Sequence, residues 1–132
     1  MAKAKANIPE DLRYTETHEW VRVEGNRATV GITDVAQSRL GDIVFIELPE
    51  SGAQIERGEE FSALESVKAA SSIFAPVGGR IVAVNERLAD APQLVNGSPY
   101  DEGWIARIAL GDPSEIDSLM GAAAYAELAE KD

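Results

Sequence analysis

The sequence predicts a mainly β protein built as one small sandwich or barrel, and three observations lead to this prediction. The chain has 132 residues, which is the size of a single domain. Short runs rich in β-branched and aromatic residues recur along it, separated by clusters of Gly, Pro, Asn and Asp. Apolar residues make up 45% of the chain, which is enough for one compact core.

The first half begins with a predicted hairpin whose strands cover residues 20–23 and 27–33, joined by a tight turn. A helix of about two turns follows. Asp34 is its expected N-cap, Gln37 stands three residues later as in a capping box, and Gly41 supplies the C-terminal stop.

The rest of the chain predicts five more strands and two C-terminal helices. The strand-like runs cover residues 42–48, 61–67, 72–75, 80–85 and 104–110. Asp112 and Pro113 suit the N-cap and first position of a helix that ends before Gly121. Residues 122–130 form a second, alanine-rich helical stretch. We expect both helices to pack on the sandwich, so that residues 8–132 form one domain behind a flexible tail at residues 1–7.

Composition excludes several kinds of site. The chain has no cysteine and a single histidine, His18, so no metal site is predicted. A net charge of −11 makes nucleic acid a poor partner and suits association with basic protein surfaces. No apolar run approaches the roughly 20 residues that span a bilayer. The N-terminus lacks a secretory or transit signal, so we expect the bacterial cytoplasm, or the mitochondrial matrix after removal of a presequence.

A weak internal repeat relates the two halves of the predicted sandwich. The pattern Gly-x-Ile-Val-x-(Ile/Val) occurs at residues 41–46 and again at residues 79–84. Two such strand–loop–strand units can pack face to face, and the connection between them then forms a protruding turn at residues 65–72. This turn holds Lys68, the only cation between Arg57 and Arg80. Small residues follow Lys68, which gives a modifying enzyme access to the lysine amine, although most single lysines are simply solvated.

Dispersed motifs identify the family that this chain resembles. They are His18-Glu19-Trp20-Val21, Gly31-Ile32-Thr33-Asp34, Glu47-Leu48-Pro49-Glu50, Glu65-Ser66-Val67-Lys68-Ala69-Ala70-Ser71 and Glu102-Gly103-Trp104. In this order they resemble the glycine cleavage system H protein, a family of lipoyl carriers. The resemblance runs from about residue 8 to residue 128.

The resemblance implies a lipoyl/biotinyl-carrier-like β-sandwich (a barrel-sandwich hybrid) with an N-terminal hairpin and short C-terminal helices. It also implies a covalent carrier rather than an enzyme, with lipoate attached at Lys68. In that family the arm takes an aminomethyl group from a pyridoxal-phosphate glycine decarboxylase to a tetrahydrofolate-dependent aminomethyltransferase. It then passes electrons to an FAD-containing dihydrolipoyl dehydrogenase. A lipoyl-attaching ligase or transferase is a further implied partner, and we expect a monomer with no nucleic-acid or membrane partner.

The resemblance further implies a surface cleft that holds the loaded arm. By position the cleft involves Thr17, Glu19 and Ser72, and the Glu19 carboxylate can pair with the ammonium group of the arm. Glu65, three residues before Lys68, is expected to orient the hairpin or to be read by the ligase. The family usually has an aspartate where this chain has Ser72. A serine supplies no negative charge, so we expect either that the loaded arm is held less firmly here or that another acid compensates.

Rival classes share parts of this pattern. Biotin carriers usually flank their lysine with methionines, whereas this chain has only Met1 and Met120. Lipoyl domains of 2-oxoacid dehydrogenases usually have an acid directly before the lysine, where Val67 stands here. Two further alternatives are a lipoyl relay, which passes its lipoyl group to other enzymes, and an unmodified interaction protein. The presence of Lys68 argues against the unmodified protein but not against the relay. A catalytic enzyme is the least supported class, and we expect His18 to be structural.

Overall fold

The computed structural model describes residues 6–131, so residues 1–5 of the predicted tail lie outside the described range. This range contains nine strands, four short α-helices and one 3-10 helix. The strands are β1 (Arg13–Tyr14), β2 (Glu19–Glu24), β3 (Arg27–Ile32), β4 (Ile43–Glu47), β5 (Gln54–Ile55), β6 (Glu60–Ser66), β7 (Ala70–Phe74), β8 (Gly79–Val84) and β9 (Ala106–Leu110). The helices are α1 (Asp34–Leu40), α2 (Arg87–Asp90), α3 (Leu94–Gly97), the 3-10 helix (Pro113–Ser118) and α4 (Ala122–Lys131).

The strands form two antiparallel sheets that enclose the main core. One sheet has the order β1-β2-β3-β9-β8-β5, and the other has the order β4-β6-β7. Buried side chains from both sheets form one cluster, with Val30 and Ile108 from the larger sheet and Leu64 and Ile73 from the smaller. The inner faces of two sheets pack in this way in a β-sandwich, because each hides the apolar face of the other. The mainly β prediction is therefore confirmed.

The predicted N-terminal hairpin is confirmed as β2 and β3, which pair in register from Glu19 with Ile32 to Glu24 with Arg27. The Trp20 ring is fully buried and packs directly on Gly31, where an added Cβ would lie 2.7 Å from the Trp20 Nε1 atom. That contact explains why a residue without a side chain is needed opposite the tryptophan.

Helix α1 is also confirmed, but its predicted N-cap is wrong. Thr33 is the N-cap, and its hydroxyl accepts a hydrogen bond from the Ala36 N–H at 3.2 Å. Asp34 is the first helical residue, where a negative charge is favourable, and its carboxylate accepts from the Gln37 amide at 2.6 Å. Gly41 ends the helix with φ of 77°, as the sequence predicts.

The two repeated segments lie in different sheets and share an irregularity. Strand β4 pairs with β6, and β8 pairs with β9, so each half supplies one strand–loop–strand pair. The register shifts between Ile43 and Phe45 in the first half and between Ile81 and Ala83 in the second. A β-bulge thus occurs at the same position of both repeats.

The C-terminal segment differs in part from the sequence prediction. Asp112 caps it as expected, but residues 113–118 form a 3-10 helix, a form that proteins use in short pieces, and the chain is extended again at Leu119. The second predicted helix is confirmed as α4. Its Tyr125 ring is buried and stacks on the Tyr14 ring with centroids 4.7 Å apart.

Short elements escaped the sequence prediction. Strands β1 and β5 have two residues each, and helices α2 and α3 have four, which is too short for a periodic pattern.

At the end of the predicted tail, Asn7 is anchored to the domain by two hydrogen bonds, from its N–H to Asp34 Oδ2 and from the Tyr100 hydroxyl to its carbonyl. None of the helices within residues 6–131 is long and apolar enough to cross a membrane.

Candidate functional site

Lys68 lies in the turn between β6 and β7, with Lys68, Ala69 and Ala70 all exposed. Ser66 closes this turn. Its N–H donates to the Ala69 carbonyl at 2.7 Å, and its hydroxyl accepts from the Ala69 N–H at 3.0 Å and from the Lys68 N–H at 3.3 Å. The backbone of the tip is therefore fixed by its own hydrogen bonds, while the Lys68 side chain is left accessible to solvent.

The tip is also supported from the side by the corner between α1 and β4. The Val67 N–H donates to the Asp42 carbonyl at 3.0 Å. The Lys68 Cε atom lies 3.6 Å from the position that a Cβ on Gly41 would occupy. Asn96 fixes this corner, since its side chain accepts from the Ile43 N–H at 2.8 Å and donates to the Gly41 carbonyl at 2.9 Å. We infer that the corner and the hairpin form one surface around Lys68.

Glu65 lies on the exposed face of β6, three residues before Lys68. Its cross-strand neighbours are Phe45 on β4 and Ala70 on β7. The carboxylate is therefore presented to solvent beside the tip, where a partner has access to it. Its role in orienting the hairpin or in recognition stays a prediction.

A second feature is a cavity of about 560 Å³ beneath the loop between β1 and β2, here called the Glu19 cavity. Its walls come from four parts of the chain that are distant in sequence. The lining residues are Tyr14, Thr15, Glu16, Thr17, Glu19, Arg57, Gly58, Phe74, Ala75, Pro76, Ser118, Leu119, Met120 and Leu128. A polar end around Glu19 thus adjoins an apolar wall from the C-terminal segment.

Glu19 is buried, with 2% of its surface exposed, and is held by three hydrogen-bond donors. The hydroxyls of Thr15 and Thr17 each donate to Oε1 at 2.5 Å, and the Phe74 N–H donates to Oε2 at 3.3 Å. Burial raises the pKa of the Glu19 carboxyl above its usual range, and the two threonine hydroxyls counter part of that increase. The charged form of Glu19 therefore has oriented donors but pays a desolvation cost, which a cation entering the cavity would reduce.

His18 connects the loop between β1 and β2 to the C-terminal helix α4. Its Nδ1 atom lies 2.6 Å from the Tyr125 hydroxyl, and that hydroxyl lies 2.7 Å from Thr33 Oγ1. The backbone of His18 has φ of 71°, an uncommon conformation for a residue other than glycine, and it directly precedes the buried Glu19. These contacts give the histidine a structural role, as the sequence suggested.

Strand β7 runs from the Lys68 tip to the Glu19 cavity. Phe74, at the end of the strand, donates its N–H to Glu19, and the five residues of β7 (Ala70–Phe74) span about 13 Å from the first Cα atom to the last. Ser72 lies midway, exposed and opposite Ala63 on β6. The structure brings Thr17 and Glu19 together, whereas Ser72 does not line the cavity, so its part in holding an arm stays a prediction.

Several lining residues escaped the sequence prediction. Thr15 donates to the same carboxylate oxygen as Thr17, and the alternation of two threonines before Glu19 was the available signal. Arg57, Met120 and Leu128 carried no such signal, because they reach the cavity only through tertiary packing. Within residues 6–131 no group of three or more His, Asp or Glu side chains is placed to hold a metal ion.

The arrangement offers an exposed primary amine that can be acylated, and a sheltered carboxylate that can receive a cation. Such an arrangement suits a carrier whose attached group moves between solvent and shelter.

Comparison with known proteins identifies the family. A family model described as "Glycine cleavage H-protein" matches residues 12–132. Glycine cleavage system H proteins from Bacillus cytotoxicus and Bacillus cereus are each 54% identical over 126 residues, covering 96% of this chain and 99% of theirs. The crystal structure of a glycine cleavage system H protein from Mycobacterium marinum matches with a TM-score of 0.84 and 37% identity, covering 91% of this chain and 97% of that one. The chain belongs to the glycine cleavage H-protein family.

Proposed function

We propose that this protein is the lipoyl-bearing carrier of the glycine cleavage system, with lipoate attached through an amide to Lys68. The observation that carries the proposal is the position of Lys68, exposed at a hydrogen-bonded hairpin tip within the family's motif at residues 65–71. Small residues on the C-terminal side of Lys68 leave room for a modifying enzyme. The protein is a carrier and not a catalyst.

A lipoyl group held on Lys68 would supply a redox-active disulfide that can carry the cargo on sulfur and whose dithiol form can be reoxidised. Membership of the family supports three partners in sequence, namely a pyridoxal-phosphate glycine decarboxylase, a tetrahydrofolate-dependent aminomethyltransferase and an FAD-containing dihydrolipoyl dehydrogenase. A lipoyl-attaching ligase or transferase is the fourth. Tethering at Lys68 keeps the arm at high effective concentration near each bound partner. Because the matched relatives are bacterial, we assign the protein to the bacterial cytoplasm.

In this proposal the Glu19 cavity shelters the loaded arm. The Glu19 carboxylate pairs with the primary ammonium of the aminomethyl group, and the hydroxyls of Thr15 and Thr17 hold the carboxylate in position. The apolar wall of Leu119, Met120 and Leu128 limits the access of water to the labile group. These residues bind, orient and exclude water, and none of them performs chemistry on the cargo.

Intact-mass measurement and peptide mapping of the protein purified from its native host test the attachment. A lipoyl group on Lys68 is the expected result. Biotin on Lys68 would move the protein to another carrier class, and a bare lysine in lipoate-replete cells would refute the proposal.

Glycine–bicarbonate exchange in a reconstituted system tests the pathway. We expect Lys68→Ala to abolish exchange, because the variant has no amine on which to attach the arm. Lys131→Ala, which removes an exposed lysine from the far end of the chain, is the matched control and should exchange at the wild-type rate. Exchange retained by Lys68→Ala would exclude the arm mechanism.

A further inference from the structure

Exposed apolar side chains are concentrated around Lys68. Four large apolar residues are exposed within residues 6–131, and three of them belong to the surface near the tip: Val44 and Phe45, each 54% exposed, and Val67, 69% exposed. These three residues are called the tip patch. The fourth, Val23, lies on the N-terminal hairpin and is 42% exposed. Single exposed apolar residues are ordinary on protein surfaces, but a group beside a reactive amine suggests an interaction site.

The β-bulge in β4 produces the exposure of two consecutive apolar residues. Side chains alternate between faces in a regular strand, so Val44 and Phe45 would point to opposite sides. The register shift between Ile43 and Phe45 interrupts that alternation, and both side chains are exposed while Ile43 and Ile46 are buried. Bulges commonly re-aim side chains next to functional sites.

The second repeat shows that the bulge does not itself require this exposure. The matching residues there are Val82 and Ala83, and both are half-buried. The same backbone irregularity is thus present in both halves, but only the half next to Lys68 presents a large aromatic side chain to solvent. The bulge alone therefore does not account for an exposed aromatic side chain at Phe45.

The tip patch adjoins the lysine and has an acidic border. Val67 directly precedes Lys68, and its N–H is bonded to Asp42, two residues before Val44. Asp42, Glu47 and Glu65 are exposed around the patch. An apolar centre with a charged rim is the usual anatomy of a protein interface, and this rim is complementary to Lys and Arg.

We propose that the tip patch is the docking surface for the enzyme that acylates Lys68. This enzyme presents an apolar recess bordered by Lys or Arg side chains. The inference rests on the proposed function. The acylating enzyme reacts at the lysine amine itself, so it has to contact the tip, whereas the other enzymes act at the distal end of a long arm. In the step concerned, the neutral amine attacks the carbonyl carbon of an acyl adenylate or thioester. A C–N bond forms, the leaving group departs with its bonding electrons, and the amine loses a proton.

Purified apo protein, a lipoyl-attaching enzyme, lipoate and ATP test the docking surface, with intact mass as the readout. We expect Phe45→Ser to lower kcat/KM for lipoylation by about tenfold or more, mainly through KM, because one buried aromatic anchor is lost. Val44→Thr should have a smaller effect in the same direction. Val23→Thr changes an exposed valine outside the patch and should stay within about twofold of wild type.

Raising the ionic strength should increase KM for the wild-type protein, since the acidic rim then steers the basic enzyme less well. Circular dichroism and urea midpoints check that each variant is folded. All three substituted residues, Phe45, Val44 and Val23, are exposed, so urea midpoints close to that of the wild type are expected.

Wild-type protein that stays unmodified at Lys68 would refute the proposed function itself. Normal lipoylation of both wild type and Phe45→Ser would overturn only the docking proposal. Normal lipoylation of Phe45→Ser together with impaired glycine–bicarbonate exchange would also overturn it, because the patch would then serve one of the enzymes that act on the distal end of the arm.

Discussion

The Lys68 tip and the Glu19 cavity are built in opposite ways. At the tip, Lys68 and the residues after it are exposed, and the turn is held by hydrogen bonds within residues 66–69 and by one bond to Asp42. In the cavity, Glu19 is 2% exposed and is held by hydrogen bonds from the loop between β1 and β2 and from Phe74. The tip is a local structure on the surface, whereas the cavity requires much of the fold.

The difference suits the roles that we propose for the two sites. An amine that is to be acylated by another protein needs access more than shelter. A carboxylate that is to hold a cationic, hydrolysable cargo needs a low-dielectric surrounding, in which its charge interacts more strongly. Substitutions at the two sites should therefore have separable effects, and four predictions test this separation.

The largest effect on the lifetime of the loaded arm is expected for Glu19→Gln. The neutral amide loses a charge-assisted hydrogen bond to the ammonium group, so hydrolysis should accelerate by about tenfold or more. Formaldehyde release from loaded carrier, without the transferase, measures this rate. Glu50→Gln changes an exposed carboxylate and is the control. Lipoylation of Lys68 should be normal in both variants, and an unchanged release rate in Glu19→Gln would contradict a holding role.

Tyr125→Phe should destabilise the fold without affecting the tip. It removes the hydroxyl that bridges His18 and Thr33, at a cost of about 1–2 kcal/mol in the free energy of unfolding. Urea denaturation measures the change. The reciprocal variant, Lys68→Ala, should lose lipoylation while the unfolding free energy changes by less than about 0.5 kcal/mol. A large loss of stability in Lys68→Ala would show that the two sites are not separable.

The stability of the apo protein should depend on pH through Glu19. Because burial raises the folded-state pKa above its ordinary value of 4.5, the folded protein binds the proton more tightly than the unfolded chain. The contribution of Glu19 to the free energy of unfolding is therefore fully present below pH 4.5, and it is lost as the pH rises through the folded-state pKa. The difference in urea midpoint between the wild type and Glu19→Gln should decrease as the pH rises from 4.5 through the folded-state pKa. Above that pKa the difference should stay constant. A pH-independent difference would show that the carboxyl is not perturbed by burial.

The smallest effect is expected for Ser72→Asp, which restores the acid that the family usually has. Because position 72 is exposed and outside the cavity lining, we expect the loaded arm to live only about two- to threefold longer. Formaldehyde release is again the measurement. The gain should disappear at high salt, since the interaction is solvent-screened. A gain as large as the loss in Glu19→Gln would place residue 72 in direct contact with the cargo.

Local signals in the sequence predicted the elements that carry the tip. Strand-like runs predicted β6 and the second half of β7, and Gly41 predicted the end of α1, because such patterns depend only on near neighbours in the chain. The predicted N-cap of α1, Asp34, was one residue away from the observed N-cap, Thr33. Threonine and aspartate are both favourable N-cap residues, so the local pattern did not distinguish them. Family motifs then singled out Lys68 and Glu19 as candidate site residues.

The sequence alone thus determined the strand-rich architecture, the position of Lys68 and the family to which the chain belongs. Only the tertiary structure decided that Glu19 is buried, that Leu128 and Met120 enclose it, and that His18 is fixed by Tyr125 across 107 positions of the chain. It alone decided that a bulge exposes Phe45 beside Lys68. Periodicity records which face of an element is apolar, whereas burial and register depend on which distant elements meet, and that is set by packing of the whole chain.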